Sequence, residues 1–237
     1  MLAIDVQIAG AQTTQSSGKA RVSINFGGQL SSMTFTTTTT STVYLETATI
    51  NSSYTIPRGR LFDGGILFRV ARSFGVGVAL SAYSEHNDAA VTGSIPHPFF
   101  DNRLRPLSGS ATGLQRSEIS AHIQAAYMAA SRKVDFAIFG GPTIFRVSQD
   151  LVSNSPYTEA YPYDTVAFAQ ATTKAEGTKV GFNVGVDVGY KLSRTVGVGG
   201  LVQYSRARLS FPLTDSASDV SVDAGGLQAG GGVRFYF

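Results

Sequence analysis

Three residues that could take part in acid–base or nucleophilic chemistry lie close together in the sequence: Glu118, Ser120 and His122. A histidine beside a hydroxyl and a carboxylate can activate a nucleophile when the reacting atoms approach to about 3 Å. The three alternate with apolar residues, which predicts a strand that carries them on one face. Glu118 and His122 would then be about 13 Å apart by strand rise, too far for a hydrogen bond. We therefore predict no catalytic residue, and we expect His122 to make ordinary hydrogen bonds in the interior.

Two further histidines, His86 and His97, lie in one connecting segment near Glu85 and Asp88. The Pro96-His97-Pro98 stretch is rigid, and no spacing here matches a known set of metal ligands. The chain has no cysteine, which excludes zinc sites built on thiolates. Its glycines alternate within strand-like segments and do not form a phosphate-binding loop. We expect solvated loop histidines, no metal and no cofactor.

The element that must position such residues is a strand with one apolar face, seen most clearly between residues 179 and 192. Its apolar set occupies every second position, and the intervening positions are small, polar or charged. Because successive side chains of a strand point to opposite faces, this pattern predicts a strand and not a helix. The apolar set is Val180, Phe182, Val184, Val186, Val188, Tyr190 and Leu192.

Seven other segments show the same alternation, which predicts eight strands in all. They lie near residues 21–30, 63–70, 74–81, 118–127, 134–139, 196–204 and 228–237. Short turns at 71–73, 130–133 and 192–194 alternate with long connections at roughly 36–59, 86–113, 149–174 and 210–222. An even number of strands, with short turns at one end and long loops at the other, is typical of a bacterial outer-membrane barrel. The predicted fold is therefore all-β, an eight-stranded antiparallel up-and-down transmembrane barrel with both termini on the short-turn side.

The two faces of these strands differ in composition, which indicates which face contacts lipid and which faces the barrel interior. One face is Val, Ile, Leu and Phe with almost no charge, which suits lipid. The other is mostly Gly, Ala, Ser, Asn and Gln, small side chains that suit the narrow interior of an eight-stranded barrel. We expect aromatic bands at both edges of the apolar face. They comprise Phe74, Tyr127, Phe136, Tyr190, Phe235 and Phe237 near the turns, and Phe35, Tyr83, Phe145, Tyr204 and Phe211 near the loops.

The interior face carries isolated charges that must be accommodated. They are Arg21, Asp63, Arg69, Glu118, Asp135, Asp187, Lys191 and Arg234, and His122 shares this face. Since an unpaired buried charge is very costly, we expect these groups to pair. A structural network that fills the lumen is the favoured interpretation, and a polar path for protons or small solutes is the alternative.

Near the long connections, the sequence leaves open which face of the strand the side chains after Tyr204 lie on. Continued alternation past Tyr204 would put Arg206 and Arg208 on the lipid side. A bulge near Ser205 would instead turn Ala207, Leu209 and Phe211 outward, and we prefer this interpretation. The alternative is that the strand has already left the hydrocarbon and that the arginines meet lipid phosphates.

Composition narrows the functional class further. The 237 residues are 43% hydrophobic and only 15% charged, with a net charge of +3 that is too weak and scattered to indicate nucleic-acid binding. No apolar run reaches 18 residues, so no transmembrane helix is predicted.

The first residues do not read as an intact signal peptide. We expect residues 1–17 to be a leader remnant or a disordered tail, and residues 18–237 to form the barrel domain.

The chain ends in Val233-Arg234-Phe235-Tyr236-Phe237, with Val233, Phe235 and Phe237 on one face. In this ending and its alternating glycines the chain resembles the small outer-membrane β-barrel superfamily that includes the OmpA transmembrane domain, OmpX and OmpW. The resemblance spans about residues 18 to 237 and concerns architecture. It implies an outer-membrane location and recognition of the final strand by the barrel-assembly machinery.

Several functions remain open at this point. The first is a non-enzymatic monomer among outer-membrane lipid and lipopolysaccharide, with a structural or surface-interaction role carried by the long loops. The second is a narrow channel for small or apolar solutes, which the resemblance to OmpW implies. A third, weaker hypothesis is a lipid A-modifying enzyme, since some of those are eight-stranded barrels with His and Ser near the outer rim. The charge-free apolar face argues against a soluble lipocalin-like binder.

Overall fold

A computed structural model describes residues 19–153, 156–211 and 220–237, and the N-terminal tail predicted for residues 1–17 lies outside them. The strands are β1 (Ala20–Gln29), β2 (Met33–Val43), β3 (Glu46–Ile56), β4 (Gly59–Ala71), β5 (Phe74–Pro96), β6 (Leu104–Ala130), β7 (Val134–Val152), β8 (Tyr157–Glu159), β9 (Val166–Phe168), β10 (Thr172–Lys191), β11 (Val196–Phe211) and β12 (Val220–Tyr236). Within the described residues, no helix is long and apolar enough to cross a bilayer.

Eight of these strands close into a ring. The order is β5, β4, β1, β12, β11, β10, β7 and β6, and β6 pairs with β5 to complete the circle. Every pairing in the ring is antiparallel, and the first and last strands join with Arg21 opposite Tyr236. The eight-stranded up-and-down barrel predicted from the sequence is confirmed. The first ring strand begins and the last ring strand ends on the short-turn side.

Side chains of the ring alternate between outside and inside as predicted. Outward residues such as Phe26 and Val180 are 66% and 65% exposed, whereas their inward neighbours Asn25 and Asn183 are each 2% exposed. This apolar outer band covers the part of every ring strand that is nearer the short turns. We call this the lower part of the barrel and the opposite end the upper part. Its aromatic edge near the turns forms as expected, because Phe74, Tyr127, Tyr190 and Phe237 are all exposed.

Above the apolar band, the strands do not give way to long loops. β5 and β6 continue through it and reach total lengths of 23 and 27 residues, and the hairpin of β2 and β3 joins the sheet by pairing with β5. We call the described parts of residues 33–56, 86–116, 146–178 and 206–225 the crown. The long connections predicted at this end are present, but most of their described residues form strands, because alternation with polar residues outside and apolar residues inside also forms strands.

The crown reverses the polarity of the barrel below it. Its interior is an apolar cluster that includes Ile50, Tyr54, Val91 and Leu114, all at most 3% exposed. A second cluster around Phe145 and Leu209 continues this core. This is the arrangement of a soluble β-protein, in which apolar side chains face inward. We infer that the outer face of the crown lies in water.

The reversal corrects the predicted aromatic band near the loops. Tyr83 and Phe145 are 3% and 0% exposed and point inward, and Phe35 stacks on Tyr54 with ring centroids 4.5 Å apart. Tyr204 does face outward, at 37% exposure. The side chain of Phe211 lies outside the described part of the structure.

It also corrects the predicted bulge near Ser205. β11 and β12 pair without a register shift from Val196 to Phe211. Ala207 and Leu209 are therefore inside, 5% and 2% exposed, and Arg206 and Arg208 stay outside. The apolar residues change faces because the solvent outside the strand changes, and the strand itself continues unbroken.

A bulge does occur in β6, where Asn87 of β5 faces Leu114 and Ala89 faces Ala111. Three steps along β6 thus match two along β5. Gly113 is the extra residue, with a φ of 69° that favours glycine, and its N–H donates to Asp88. The bulge keeps Ala111 and Leu114 both inside the crown.

Candidate functional site

The lower lumen holds a network of four charged side chains. Arg21 forms ion pairs with Asp135 and, at 3.4 Å, with Asp187. Arg234 contacts the two oxygens of Asp187 through Nε and Nη2, at 3.1 and 2.8 Å. Two guanidinium groups thus balance two carboxylates. All four residues are at most 6% exposed, so each charge is held by its neighbours and not by water.

Four ring strands bring this network together, since Arg21, Asp135, Asp187 and Arg234 lie on β1, β7, β10 and β12. Tyr236 completes it by donating its hydroxyl to Asp135. Gly189 leaves the necessary room, because a Cβ there would come within 2.6 Å of the Tyr236 hydroxyl. The sequence placed these four charges on the inner face, and the structure places them in mutual contact.

Three other predicted lumen charges have different surroundings. Lys191 lies over the ring of Tyr236, with Nζ 5.0 Å from the centroid. Arg69 does not join a buried network, because it lies at the turn and donates to the Arg72 carbonyl. Asp63 is 3% exposed and accepts a hydrogen bond from the neutral Asn25 at 2.9 Å. It has no salt bridge with any described residue, which differs from the predicted pairing of every buried charge.

A small cavity lies beside Asp63. It measures about 20 Å³ and is lined by residues that include Arg21, Asp63, Asp187 and Gln203. One Asp63 carboxylate oxygen is buried and has no partner among the described atoms. A water molecule needs at least about 10–15 Å³ and two to four polar partners, and this cavity meets both conditions for roughly one water.

His122 lies in the middle of the lumen, on β6. Its Nε2 is 2.8 Å from the Ser81 hydroxyl, and its Nδ1 is 2.8 Å from the Thr143 hydroxyl. Asn183 donates to Thr143 in turn, at 2.8 Å. The serine that meets His122 is thus Ser81 of β5 and not Ser120. Both imidazole nitrogens contact hydroxyl groups, no carboxylate among the described residues orients the ring, and His122 is 1% exposed. The group therefore has the properties of an interior hydrogen-bond chain.

Glu118 is bound in the upper lumen by a residue that the sequence analysis missed. Arg116 donates from Nε to Glu118 at 2.8 Å and from Nη2 to the Asp223 carbonyl at 2.8 Å. The other Glu118 oxygen accepts the Gly225 N–H at 2.9 Å. Gly225 has a φ of 86°, which aims that N–H into the lumen. Arg116 is two residues from Glu118, so the alternation would have placed it on the same face had the strand been extended further.

The final strand presents the three residues of the predicted assembly signal on its outer face. Val233 and Phe237 are 38% and 70% exposed, and Phe235 is partly exposed. Ile24 and Val22 lie opposite Val233 and Phe235 across the closing seam. The apolar outer surface is therefore continuous where the ring closes.

Above the apolar band, the outer face carries several arginines. Arg146 pairs with Glu176 at 3.4 Å, and Arg206 pairs with Asp223 at 2.8 Å. Lys174 and Arg146 hold the pKa of Glu176 below its usual value. Each arginine follows an exposed apolar residue on the same face, Ile144 before Arg146 and Tyr204 before Arg206. They therefore lie at the upper boundary of the band.

One of the two loop histidines differs from the expectation of a solvated side chain. His86 is exposed on β5, whereas His97 is 3% exposed and packs against Phe100 at 4.8 Å. His97 is thus a buried residue and not a solvated one. Within the described residues, no group of three or more potential metal ligands occurs.

A second set of contacts joins three segments at the far end of the crown. Tyr44 donates its hydroxyl to Glu159 at 2.7 Å, and this hydrogen bond raises the pKa of Tyr44 above its usual value. Glu159 also pairs with the buried Arg105. Arg105 was missed because its part of the chain was assigned to a loop.

No family model and no curated protein matches the chain. Among solved structures, the outer membrane protease OmpT from Escherichia coli is 11% identical, with a TM-score of 0.50, and the match covers 95% of this chain and 99% of that chain. Neisserial surface protein A is 13% identical, with a TM-score of 0.45 and coverage of 94% and 100%. The attachment invasion locus protein Ail of Yersinia pestis is 11% identical, with a TM-score of 0.39 and coverage of 92% and 99%.

At this identity, the likeness to OmpT concerns the fold alone. It agrees with the closed antiparallel ring, and the barrel fold of outer-membrane proteins that the sequence predicted is confirmed.

Proposed function

We propose that this chain is an integral protein of the bacterial outer membrane, non-enzymatic and monomeric, whose side-chain-filled lumen anchors a crown that contacts other molecules at the cell surface. The exposed apolar band supports the location, because a closed barrel with such a band buries it in lipid. The observation that carries the proposal is that charged side chains bridge the lumen at two levels. Arg21 and Arg234 pair with Asp135 and Asp187 at the lower level, and Arg116 and Glu118 pair with each other and reach the backbone of β12 at the upper level.

The energetics of those pairs oppose the passage of ions through the lumen. Breaking a buried ion pair by removing one partner costs about 3–5 kcal/mol, since the other charge is left uncompensated. A permeating ion would have to displace Asp187 from Arg21 and Arg234, or Glu118 from Arg116. The cavity between these levels holds roughly one water. This arrangement favours a structural plug over the alternative of a narrow solute channel.

Current through a planar lipid bilayer tests the proposal. We expect the refolded protein to give no current above background, while a general porin reconstituted in parallel gives clear channel steps. Reproducible steps from this protein, at a size that scales with salt concentration, would establish the channel instead.

The third hypothesis, a lipid A-modifying enzyme, is disfavoured by the surroundings of His122. Ser81 approaches it closely, but Thr143 occupies the position where an orienting carboxylate would lie, and all three residues are buried. We expect lipid A from cells that express the protein to have an unchanged mass spectrum. A new lipid A species that disappears with Ser81→Ala would overturn this assignment.

We propose two partners within the envelope. The arginines above the apolar band lie where lipopolysaccharide phosphates would meet them. Lipopolysaccharide should therefore raise the unfolding temperature of the wild type more than that of the Arg146→Gln/Arg206→Gln variant, and equal shifts would argue against the contact.

The second partner is the barrel-assembly machinery, which would recognise Val233, Phe235 and Phe237. Phe237→Ser should lower the amount of folded protein in the outer membrane of living cells and leave refolding in detergent unchanged. Equal losses in both settings would point to stability and not to recognition.

A further inference from the structure

The end of the crown farthest from the turns is built from three segments, of which two belong to the main sheet and one forms a separate two-stranded sheet. They are residues 43–46 at the turn of the β2–β3 hairpin, residues 97–105 at the β5–β6 connection, and residues 157–168, which hold β8 and β9. We call them together the distal tip. The backbone N–H of Asn102 donates to Glu46 at 2.8 Å, and Arg103 pairs with Asp164 at 3.2 Å. Side chains thus tie each segment to another.

Arg105 is the centre of this assembly. It is 2% exposed, pairs with Glu159 and donates to the carbonyl groups of Pro96 and Tyr163. Tyr44 binds the same Glu159 from the third segment. A buried guanidinium with several fixed acceptors holds the tip in one arrangement, so little conformational freedom remains to be lost when the tip binds something.

Large apolar side chains remain exposed on this fixed support. Leu45 is 97% exposed, Tyr161 84%, Phe99 69% and Phe100 54%. Phe99 packs edge-on against Tyr163, and Arg103 lies over the Phe100 ring. Exposed apolar residues that cluster and are rimmed by polar groups mark interaction sites, and aromatic residues and arginine are enriched in protein interfaces.

The lipid of the protein's own membrane is too distant to cover this surface. β5 continues for 16 residues from Leu80, at the edge of the exposed apolar band, to Pro96 at the tip. At about 3.3 Å per residue this is roughly 50 Å of strand. With the usual tilt of about 40° the tip stands roughly 40 Å above the hydrocarbon.

The charge of the tip indicates what does cover it. Glu46, Asp101, Glu159 and Asp164 give four carboxylates against the guanidinium groups of Arg103 and Arg105, a net charge of −2 in a chain of net charge +3. The apolar surface therefore lies in a locally negative field. Partners are selected by complementary charge around the contact.

We propose that the distal tip is a docking surface for a protein segment that carries lysine or arginine residues around an apolar centre. This inference rests on the proposed surface-interaction role and names the partner for it. An anionic membrane surface and a second negatively charged tip are disfavoured, because both would meet like charge.

Peptide binding to the full chain in phosphatidylcholine nanodiscs tests the proposal. The probes are three short fluorescent peptides: one with lysines flanking a leucine- and tryptophan-rich centre, one with glutamate in place of lysine, and one with serine in place of the apolar residues. Fluorescence anisotropy is recorded at low and high salt, and empty nanodiscs are measured alongside. We expect only the first peptide to bind, and to bind less at high salt.

Variants locate the contact. Phe99→Ser/Tyr161→Ser should weaken binding by about tenfold or more, as the loss of aromatic anchors does in other interfaces. Asp101→Asn/Asp164→Asn should weaken binding and flatten its salt dependence. Thr36→Ser/Thr40→Ser, on the exposed outer face of β2, is the control and should bind like the wild type. Heat-modifiable gel migration shows that each variant is folded.

Several outcomes would overturn the inference. They are equal binding of all three peptides, no binding of the lysine peptide, binding that the Phe99→Ser/Tyr161→Ser variant retains, and preference of the tip for anionic vesicles over the peptide. A failure of this inference can be distinguished from a failure of the proposed function. The bilayer current tests whether the lumen is closed, and it does not depend on what the distal tip binds.

Discussion

Two buried carboxylates of the lumen illustrate how differently one residue type can be used. Asp187 lies between Arg21 and Arg234, whereas Asp63 has the neutral Asn25 and a cavity beside it. Both are at most 3% exposed. The sequence predicted that both face inward, but it could not distinguish them, because the partners come from strands distant in the chain.

Removal of the Asp187 charge should be strongly destabilising. Asp187→Asn leaves Arg21 paired with Asp135 alone and removes the carboxylate that pairs with the buried Arg234, and we expect a loss of about 3–5 kcal/mol in the free energy of unfolding. Urea-induced unfolding in lipid vesicles measures it. The exposed pair of Arg146 and Glu176 supplies the control, since Arg146→Gln should cost no more than about 1 kcal/mol. Equal effects of the two substitutions would refute the assignment of Asp187 to a buried network.

Asp63→Asn should have a much smaller effect, no more than about 1 kcal/mol, because an amide oxygen can still accept from Asn25. The substitution also removes a buried charge that has no cationic partner within the described residues. The same unfolding assay compares it directly with Asp187→Asn. A cost as large as that of Asp187→Asn would mean that the Asp63 charge is compensated in a way that these contacts do not account for.

At the scale of the element, the β6 bulge is the clearest departure from regular alternation. Gly113 is the residue by which three steps along β6 match two along β5. Deletion of Gly113 would restore the one-to-one count and leave Ala111 and Leu114 both inside. We therefore expect this deletion to refold into a heat-modifiable barrel, with the loss of the hydrogen bond from Gly113 to Asp88.

Deletion of Ser117, in the regular ladder opposite Ser84 and Ser148, is the matched control. A one-residue slip moves every preceding side chain to the opposite face. Arg116 would then lose its position beside Glu118, and we expect this variant not to refold. If both deletions refold equally well, the bulge does not set the register.

The strands of the barrel wall were predictable, and those of the crown were not, for one physical reason. Alternation gives the face of each residue, but the solvent on that face must be assumed. For Val180 and Phe182 the assumption of lipid outside matches their exposure. For Ala207 and Leu209 the same assumption required a bulge, although the strand is regular and only the surroundings change.

Residues that depend on contacts between distant segments were missed for the same reason. Arg116 had a local signal, its spacing from Glu118. Arg105 had none, because its partner Glu159 comes from a short hairpin 54 residues away in the chain. The hydrogen bond between His122 and Ser81 likewise depends on the pairing of β5 with β6, where Ser81 faces Ser120 and Ala79 faces His122.

At the scale of the whole molecule, one continuous set of strands passes through two solvents. The lower part is apolar outside and polar inside, and the crown is polar outside and apolar inside. Burial of the lower band in lipid and of the crown core in protein removes both apolar surfaces from water. This division agrees with the proposed orientation, in which the crown and distal tip lie outside the cell and the short turns lie in the periplasm.

The central claim, a barrel that spans the outer membrane with its crown at the cell surface, can be tested directly by cysteine labelling, since the chain contains no cysteine. Single substitutions Thr40→Cys in the crown, Val198→Cys in the apolar band and Ser193→Cys in a short turn are expressed in the outer membrane of intact cells. A maleimide attached to a large polyethylene glycol reports access as a gel shift. The account predicts that Thr40→Cys is labelled in intact cells, Ser193→Cys only after the outer membrane is permeabilised, and Val198→Cys only after denaturation. Equal labelling of Thr40→Cys and Ser193→Cys in intact cells, or labelling of Val198→Cys in the folded protein, would contradict it.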